Sequence, residues 1–323
     1  MAATKQTDPA IVPEPAAPIR MVIEAKRAIL AMVGSGVDFS PQPLGRHIDP
    51  NGIAGYYCDL SGKTRLPEER MRESEYDWVI PIAQFALGLW ERRLDGEDTD
   101  AAFLRAVEWL LEDSVEEGDQ VVWRIGLPVP KYGLEPGWIS AMGQGQAIST
   151  LLRAHALTGD ERYFEIASKA LRPLLLPIAD GGAQRDIDGA VVLEEYSTED
   201  PCAVLNGWIF ALWGVHEIAL AGGDQDARAL FQQSAAGLVE LLPRYDVGWW
   251  SRYSLYNHGR PDLAKPFYQR LHPVMLEGLE LITHDPTLGE YARRWRAQMT
   301  RLATARAGLD KVSFRVARAL RSA

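Results

Sequence analysis

The sequence predicts a mainly α protein, an (α/α) toroid of helical hairpins preceded by a short N-terminal segment with minor β structure. From residue 76 onward, apolar side chains follow the spacing of a helix face, as at Trp78, Ile82, Phe85 and Leu89. Four similar breaks (LDGED, TGDE, GGDQ and THDP) follow apolar helices roughly every 60 residues, the length of one hairpin plus its connection. Hairpins stacked side by side explain that period; the alternative is that Gly-Asp turns recur by chance in a helical chain.

The N-terminal segment, residues 1–75, divides into two parts. Residues 1 to about 18 are polar and rich in proline, which predicts a disordered leader. Residues 37–66 are rich in Gly, Pro and Asp and contain Tyr56, Tyr57 and a turn-like SGK, which predicts at most a small β element. The helical domain is expected over residues 76–323.

The helix breaks and the longer connections have different expected roles. Each break contains an aspartate that can cap the next helix: Asp98, Asp160, Asp224 and Asp285. The connections at 119–142, 179–200 and 245–267 are too long for plain helix-to-helix turns and carry aromatic and charged residues. Long ordered connections of this kind are usually functional, so we expect the site there.

Composition excludes several classes of protein. There are 34 Lys and Arg against 44 Asp and Glu, a net charge of −10, which argues against nucleic acid as a partner. No stretch approaches the ~20 apolar residues of a membrane span. Cys58 and Cys202 have no Cys or His at metal-ligand spacing, so neither a disulfide scaffold nor a metal site is expected. The N-terminus does not read as a signal peptide, residues 20–33 being the one segment in which to look for an export signal, and a cytoplasmic location is expected.

The window 244–272 carries the strongest signal for a ligand. It contains seven of the chain's 29 aromatic residues and five basic residues against two aspartates, a local charge of +3 in an acidic protein. Sugar rings stack on aromatic side chains and carboxylates pair with guanidinium groups, so this window suits an acidic polysaccharide. The alternative is a loop that packs on its own aromatic residues.

Two further segments carry candidate residues. Glu194, Glu195 and Tyr196 precede the apolar helix predicted at 203–220, so one glutamate can simply complement the helix N-terminus while the other acts as a general acid or base. In WISAMGQGQA (138–147), the glycines allow close approach of backbone or ligand, and Gln144 can bind hydroxyl groups or cap the helix. This segment is not a dinucleotide fingerprint, because it lacks the third glycine and the βαβ context.

The histidines divide into two that are predicted to pack in the core and two that are candidates for the site. His155 and His216 lie on apolar helix faces and are predicted to pack in the core. His258 and His272, in or beside the aromatic window, are the better site candidates.

At this point five motifs, in order and at similar separation, resemble the C-terminal domain of D-glucuronyl C5-epimerases, which act on heparosan and heparan sulfate precursors. The motifs are GWISAMGQGQAIS (137–149), EEY (194–196), VLNG (204–207), LPRYD (242–246) and Tyr268 with His272. The resemblance covers residues from about 120 to 300. It implies inversion at C5 of glucuronic acid units within a polymer to give iduronic acid, without a cofactor, on an α/α toroid that is often a homodimer.

The resemblance also implies roles for individual residues. Glu195 matches the family's acid/base glutamate, Tyr196 its neighbouring tyrosine, Tyr253 a tyrosine near the substrate carboxylate, and Tyr268 a tyrosine on the opposite face of the sugar. Substrate contacts are expected from a larger set, of which Arg252 or Lys131 would supply a cation: Arg252, Lys131, Trp138, Gln144, Asn206, Tyr256 and His272.

These residue types suit the chemistry. Removal of the C5 proton beside a carboxylate needs hydrogen-bond donors and a cation to stabilise the enediolate, and inversion needs a proton-transferring group on each face. Burial is expected to raise the pKa of Glu195, and a nearby cation to lower that of Tyr268.

One departure and two alternatives stay open. Animal members of the family are expected to have an arginine at the position of Tyr256, so carboxylate binding must differ here. A uronate lyase or glycoside hydrolase on the same fold would use a related site, and a non-catalytic glycan-binding protein would keep the fold without the reaction.

Overall fold

The computed structural model describes residues 42–65 and 78–321. The predicted leader, the segment 20–33 and the boundary at 75/76 lie outside the described residues. Within the described residues, helices dominate and strands are short. The predicted mainly α class is therefore confirmed.

Nine α-helices follow one another in the described part of the chain, eight of them as four hairpins. They are α1 (Val79–Leu94), α2 (Asp100–Glu112), α3 (Ala141–Thr158), α4 (Glu161–Leu175), α5 (Leu205–Gly222), α6 (Gln225–Tyr245), α7 (Pro266–Thr283), α8 (Pro286–Ala297) and α9 (Arg301–Arg321). None of the helices described is long and apolar enough to cross a bilayer.

The odd-numbered helices α1, α3, α5 and α7 pack against one another in that order, and each also packs against the even-numbered helix that follows it. Their sequences explain the two roles. Helices α3 and α5 are buried on all sides along most of their length, whereas α4 buries one stripe, Tyr163, Ala167, Ala170, Leu171 and Leu174, at three- and four-residue spacing. A helix that is apolar all round belongs in the interior, and a helix with one apolar stripe covers it.

The Gly-Asp breaks act as predicted at three of four positions. Asp160, Asp224 and Asp285 each accept a hydrogen bond from a backbone N–H in the first turn of α4, α6 and α8. Asp98 does not cap α2, so that prediction was wrong. Thr99 occupies the N-cap position there, and its hydroxyl donates to the carbonyl of Leu89 on α1 instead.

The β structure lies mainly in the connections between helices. Four two-stranded antiparallel hairpins are formed by β1 (Val115–Glu117) with β2 (Gln120–Val122), β3 (Arg124–Ile125) with β4 (Trp138–Ile139), β5 (Gln184–Ile187) with β6 (Ala190–Leu193), and β7 (Arg252–Ser254) with β8 (Asp262–Leu263). The small β element expected near residues 37–66 amounts, among the described residues, to one antiparallel bridge between Leu44 and Cys58. The three long connections predicted to be functional all contain such hairpins.

The described part of the N-terminal segment belongs to the same core as the helices. Tyr56, Tyr57 and Cys58 are buried and pack in one cluster with α1, α3, α5 and α7. Arg153 on α3 donates to the carbonyl of Gly55 at 3.1 Å and pairs with Glu217 on α5 at 2.8 Å, with both charged side chains fully buried. The segment is thus held by a core ion pair as well as by apolar contact.

Glycines let α3 and α5 approach closely. A Cβ atom at Gly145 would lie 2.6 Å from the Cα of Ala211, and one at Gly214 would lie 2.2 Å from the carbonyl oxygen of Gly145. Of the two alternatives for these glycines, the structure therefore shows close approach of backbone to backbone rather than of backbone to ligand.

Candidate active site

The two glutamates after β6 have different environments. Glu194 accepts hydrogen bonds from the backbone N–H groups of Cys202 (2.9 Å) and Ala203 (2.7 Å), and Nε of Arg185 lies 3.3 Å from its carboxylate. Those bonds hold the turn that leads into α5, which begins at Leu205, two residues later than predicted. Glu194 therefore has the structural role that the sequence allowed for one member of the pair.

Glu195 lies in the interior without such partners. Its side chain is 6% exposed, and its Oε2 atom has no hydrogen-bond partner among the described residues. A Cβ atom at Gly207 would lie 2.3 Å from this oxygen, so only glycine leaves room for the carboxylate against α5. Burial raises the pKa of Glu195 to about 7, against the lowering effects of a hydrogen bond with Tyr196 and the charge of Lys131. A carboxylate with this pKa can act as a general base near neutral pH.

Four tyrosines, of which the last three interact with Glu195, form what we call the tyrosine cluster: Tyr132, Tyr196, Tyr253 and Tyr268. They come from the β3–β4 connection, the loop after β6, strand β7 and the first turn of α7. Ring centroids are 4.7 Å apart for Tyr132 and Tyr196, and 4.7 Å apart for Tyr253 and Tyr268. Tyr253 has hydrogen-bond interactions with both Tyr196 and Tyr268, so its hydroxyl joins the two pairs.

Tyr268 and Glu195 act on each other electrostatically. The pKa of Tyr268 is raised well above its ordinary 10, first by burial and then by the charge of Glu195, while a hydrogen bond with Tyr253 opposes the shift. The expectation that a cation lowers this pKa was wrong, because desolvation of the phenolate dominates. Tyr268 is therefore a neutral phenol at physiological pH and can donate a proton.

Of the two cations considered, Lys131 lies at the cluster. Its Nζ atom is 2.8 Å from the hydroxyl of Tyr132, 2.6 Å from Oδ2 of Asp262 and 5.0 Å from the ring centroid of Tyr253. Arg252 instead donates through Nε to the carbonyl of Ser254 at 3.1 Å. Burial lowers the pKa of Arg252, and the charge of Asp262 opposes that shift.

Two predicted aromatic contacts border the cluster. Trp138 lies with its ring centroid 5.3 Å from that of Tyr196, and its indole N–H donates to the carbonyl of Leu127. Tyr256 lies 5.1 Å from Tyr132 and 4.6 Å from His258, ring centroid to ring centroid. Both side chains are placed to extend an aromatic surface beyond the tyrosine cluster.

Asn206 and His272 lie behind the cluster. Asn206 precedes Gly207 in α5, and its buried Oδ1 atom has no hydrogen-bond partner among the described residues. His272, one turn after Tyr268, is fully buried with Nδ1 2.9 Å from the hydroxyl of Ser251. Burial lowers the pKa of His272 to about 3, so this ring is neutral and supports the helix turn that carries Tyr268.

Gln144 corrects the sequence prediction. Its amide nitrogen donates to the carbonyls of Val121 and Ala170, and its amide oxygen accepts from the backbone N–H of Trp123. The side chain is fully buried and these three bonds occupy it. Gln144 therefore joins the β1–β2 hairpin to α3 and α4 and is not placed to contact a substrate.

The sequence analysis missed Tyr132 and Asp262 as site residues. Tyr132 was recognisable only by its position beside Lys131 in a connection already expected to be functional. Asp262 lies 131 positions from Lys131, so no local pattern reveals their contact. No group of three or more His, Cys, Asp or Glu side chains suited to a metal ion occurs in the part of the chain that the structure describes.

The fold and the site together define a mainly α protein with a candidate acid–base centre, built on the connections between helical hairpins. The chain belongs to the D-glucuronyl C5-epimerase family: a sequence model described as D-glucuronyl C5-epimerase C-terminus matches residues 117–297, which include the whole tyrosine cluster. The resemblance recognised in the sequence is thus confirmed.

Individual relatives show the same similarity over part of their length. The D-glucuronyl C5-epimerase of Caenorhabditis elegans is 31% identical over 218 residues, covering 62% of this chain and 35% of that protein. An uncharacterized protein of Methanocaldococcus jannaschii is 31% identical over 180 residues, covering 54% of this chain and 57% of that protein. The chain thus spans between a third and three fifths of the length of these relatives.

A solved structure of cellobiose 2-epimerase from Spirochaeta thermophila aligns with 94% of this chain and 98% of its own, at 11% identity and a TM-score of 0.48.

Proposed function

We propose that the protein is a uronate C5-epimerase that converts D-glucuronic acid units to L-iduronic acid units within an acidic polysaccharide. The observation that carries the proposal is the joint placement of Glu195 and Tyr268, which lie close enough for the charge of Glu195 to raise the pKa of Tyr268. Family membership supports the reaction type. The polymer itself is inferred from the local positive charge and aromatic content of residues 244–272.

The first step is removal of the C5 proton. The C5–H bond breaks, Glu195 takes the proton, and the electron pair is delocalised into the sugar carboxylate as an enediolate. This intermediate carries an additional negative charge, which the site must stabilise. The Lys131 ammonium group lies beside the hydroxyl of Tyr132 and the ring of Tyr253, so we assign these three donors to the substrate carboxylate.

The second step is protonation from the other face. Tyr268 donates its phenolic proton to C5, a new C5–H bond forms with inverted configuration, and the electron pair returns from the enediolate. The raised pKa keeps Tyr268 protonated until this moment, and its hydrogen bond with Tyr253 stabilises the phenolate that is left. In this direction Glu195 therefore acts as the base and Tyr268 as the acid.

The next turnover requires that the two protons be reset. After inversion in this direction, Glu195 holds a proton and Tyr268 lacks one. Hydrogen-bond interactions run from Glu195 to Tyr196, from Tyr196 to Tyr253 and from Tyr253 to Tyr268. This network, together with solvent, returns the proton to Tyr268.

The test is proton exchange at C5 in deuterated water. Heparosan-like polymer is incubated with the protein, and proton NMR follows loss of the C5 signal and appearance of iduronate signals. Label at C5 without shortening of the chain supports the proposal. Unsaturated chain ends would identify a lyase instead, and absence of exchange would identify a glycan-binding protein.

Variants connect the activity to the site. Glu195→Gln and Tyr268→Phe each remove one proton-transferring group, so we expect exchange to fall by at least about 100-fold. Tyr291→Phe is the matched control, because Tyr291 packs on Trp295 of α8 and not on the tyrosine cluster. Exchange that survives in both site variants contradicts the assignment even if the parent protein is an epimerase.

The finer architecture belongs to the same proposal. The order of packing, α1 to α3 to α5 to α7 with one covering helix each, is the order expected in an (α/α) toroid, and we infer that arrangement for the described helices. A homodimer is inferred from the family resemblance, and light scattering coupled to size-exclusion chromatography tests it.

A further inference from the structure

Asp262, on β8, is a fully buried carboxylate that contacts two lysines. Its Oδ2 atom lies 2.6 Å from Nζ of Lys131, and its Oδ1 atom is hydrogen-bonded to Nζ of Lys311. The hydroxyl of Ser254 adds a hydrogen bond at 3.3 Å, and Nε2 of His258 lies 4.0 Å away. We call the three charged groups the Lys131–Asp262–Lys311 triad.

The triad carries one net positive charge. Burial alone would raise the pKa of Asp262, but the charges of Lys311 and Lys131 outweigh it and hold that pKa at about 2, so the carboxylate is ionised. With Lys131 alone, Asp262 would form a neutral pair. The second lysine leaves an excess of one ammonium charge, and Lys131 is the member in contact with Tyr132 and Tyr253.

Lys311 belongs to α9, which lies beyond the segment matched by the family, residues 117–297. This helix packs on α7 and β8. Arg260 pairs with Asp310 of α9, and the guanidinium of Arg306 lies 3.8 Å from the ring centroid of Trp249. These two contacts hold α9 against the rest of the domain. We therefore expect α9 to stay packed without the bond from Lys311 to Asp262.

We propose that Lys311 is a positioning residue for the epimerase chemistry: it neutralises Asp262, so that the Lys131 ammonium charge remains available to the substrate carboxylate and the enediolate. The proposal rests on the proposed function for its catalytic consequence. Its electrostatic part concerns Glu195 directly, since the charge of Lys131 acts on that carboxylate in the absence of substrate.

The pKa of Glu195 depends on the charged and titratable groups that face it. Glu194, Tyr196 and Cys202 lie on its own loop, Lys131 on the β3–β4 connection, and Tyr253 and Tyr268 on β7 and α7. Around Asp262 the charged and titratable neighbours are the two lysines, His258, Arg252, Tyr132 and Tyr268. Of all these groups, Lys311 is the one that changes the charge of the triad without contacting the tyrosine cluster.

The experiment compares four variants of the full chain: Lys311→Met, Lys311→Arg, Arg306→Met and the double variant Asp262→Asn with Lys311→Met. The first makes the triad neutral, and the second keeps its charge. The third loosens α9 without changing the triad. The double variant restores the single positive charge on Lys131.

Two measurements are made on each. Carbon-13 NMR of carboxyl-labelled glutamate, assigned by means of Glu195→Gln, gives the pKa of Glu195 without substrate. Exchange kinetics on heparosan in deuterated water give kcat and KM.

For Lys311→Met we expect the pKa of Glu195 to rise by about half a unit to one unit, because a nearby positive charge no longer favours the carboxylate. We expect kcat/KM to fall about tenfold, with the acidic limb of the pH profile moving upward by the same interval. Lys311→Arg and Arg306→Met should leave the pKa of Glu195 unchanged, and the double variant should return it toward the parent value.

An unchanged pKa in Lys311→Met, or the same shift in Arg306→Met, overturns the proposal, because the role of Lys311 would then be structural. If Lys311→Met does not fold, the pKa in Lys311→Arg and in the double variant decides, since both should match the parent. A parent protein without C5 exchange refutes the proposed function alone. The titration then still tests whether Lys311 controls the charge beside Glu195.

Discussion

Replacement of Glu195 by glutamine is predicted to stabilise the protein while it removes the activity. The carboxyl group has a pKa of about 7 in the folded protein, against an ordinary 4.5. Between these values the native state holds a proton that the unfolded chain releases, so folding stability falls as the pH rises from 4.5 to 7 and is level above. Glutamine cannot ionise, so the variant does not lose folding stability over this pH range.

The size of the effect follows from the shift. Each unit of pKa is worth about 1.4 kcal/mol, so a shift from 4.5 to about 7 gives a full gain above pH 7 of at most roughly 3 to 4 kcal/mol. The new amide must still find partners beside Gly207, which reduces the expected gain to roughly 2 kcal/mol at pH 8. At pH 4.5 the parent carboxyl is already protonated, and the two proteins should be nearly equal in stability.

The assay is urea unfolding of parent and variant at pH 4.5 and pH 8, with C5 exchange measured on the same samples. The difference in unfolding free energy between parent and variant cancels the contributions of all other titrating groups, because both proteins share them. The matched control is Glu194→Gln, whose amide cannot accept from both Cys202 and Ala203 and leaves Arg185 without its carboxylate. Burial raises the pKa of Glu194 to about 7 as well, but its replacement also removes the bonds that hold this carboxylate, so that variant should gain less stability at pH 8 than Glu195→Gln. A Glu195→Gln protein that is less stable than the parent at pH 8, or equally affected at both pH values, would refute the reasoning.

Three further substitutions test the site and the fold. Tyr253→Phe removes the hydroxyl that interacts with Tyr268 and should slow C5 exchange by about 10- to 100-fold; a rate within twofold of the parent would exclude this role. His284→Gly should raise the unfolding free energy by about 1 kcal/mol, because His284 ends α7 with a φ of 59°. Gly214→Ala should lower the free energy of unfolding by about 2–3 kcal/mol, because the added Cβ clashes with the backbone of α3. Gly62→Ala is the control: no atom lies within 4 Å of its added Cβ, so it should change that free energy by less than about 0.5 kcal/mol. Urea unfolding measures both.

Local patterns in the sequence predicted those parts of the fold that depend on neighbours in the chain. The helical periodicity and the Gly-Asp breaks gave the hairpins, and three of the four aspartates cap helices. At the first break Thr99 takes the cap position: five residues separate α1 from α2, against two at each of the other three breaks, and the hydroxyl of Thr99 donates to the carbonyl of Leu89. Helix ends are decided by such short-range competition, which a sequence pattern does not resolve.

The connections were located by their length, but their internal structure was not predicted. Each long connection contains a two-stranded hairpin whose strands have two to four residues. Such strands are too short to show an alternating pattern, and their stability comes from packing on the helices rather than from their own composition. The packing of the N-terminal segment was not predicted for the same reason: Tyr56 and Tyr57 belong to the core cluster of the helices, and their turn-forming neighbours give no sign of it.

The roles of the site residues also depend on tertiary packing, which the sequence does not show. Glu194 and Glu195 are adjacent in sequence, and only the position of the Cys202–Ala203 backbone decides which one is held by hydrogen bonds. Gln144 lies in a motif that suggested ligand contact, yet its amide is used by three backbone groups from two other elements. Burial and partner choice are tertiary properties, so the sequence could nominate these residues but could not sort them.

One physical effect, desolvation, prepares both groups for the roles proposed above, Glu195 as base and Tyr268 as acid. Burial raises the pKa of a carboxyl and of a phenol alike, because both lose a charged form that water would stabilise. For Glu195 the shift ends near neutrality, which makes a weak base into an effective one. For Tyr268 the same shift keeps the phenol protonated. Acid and base therefore need no separate devices. They need a common dry environment, and one positive charge, that of Lys131, close enough to keep Glu195 ionised and to receive the substrate's carboxylate.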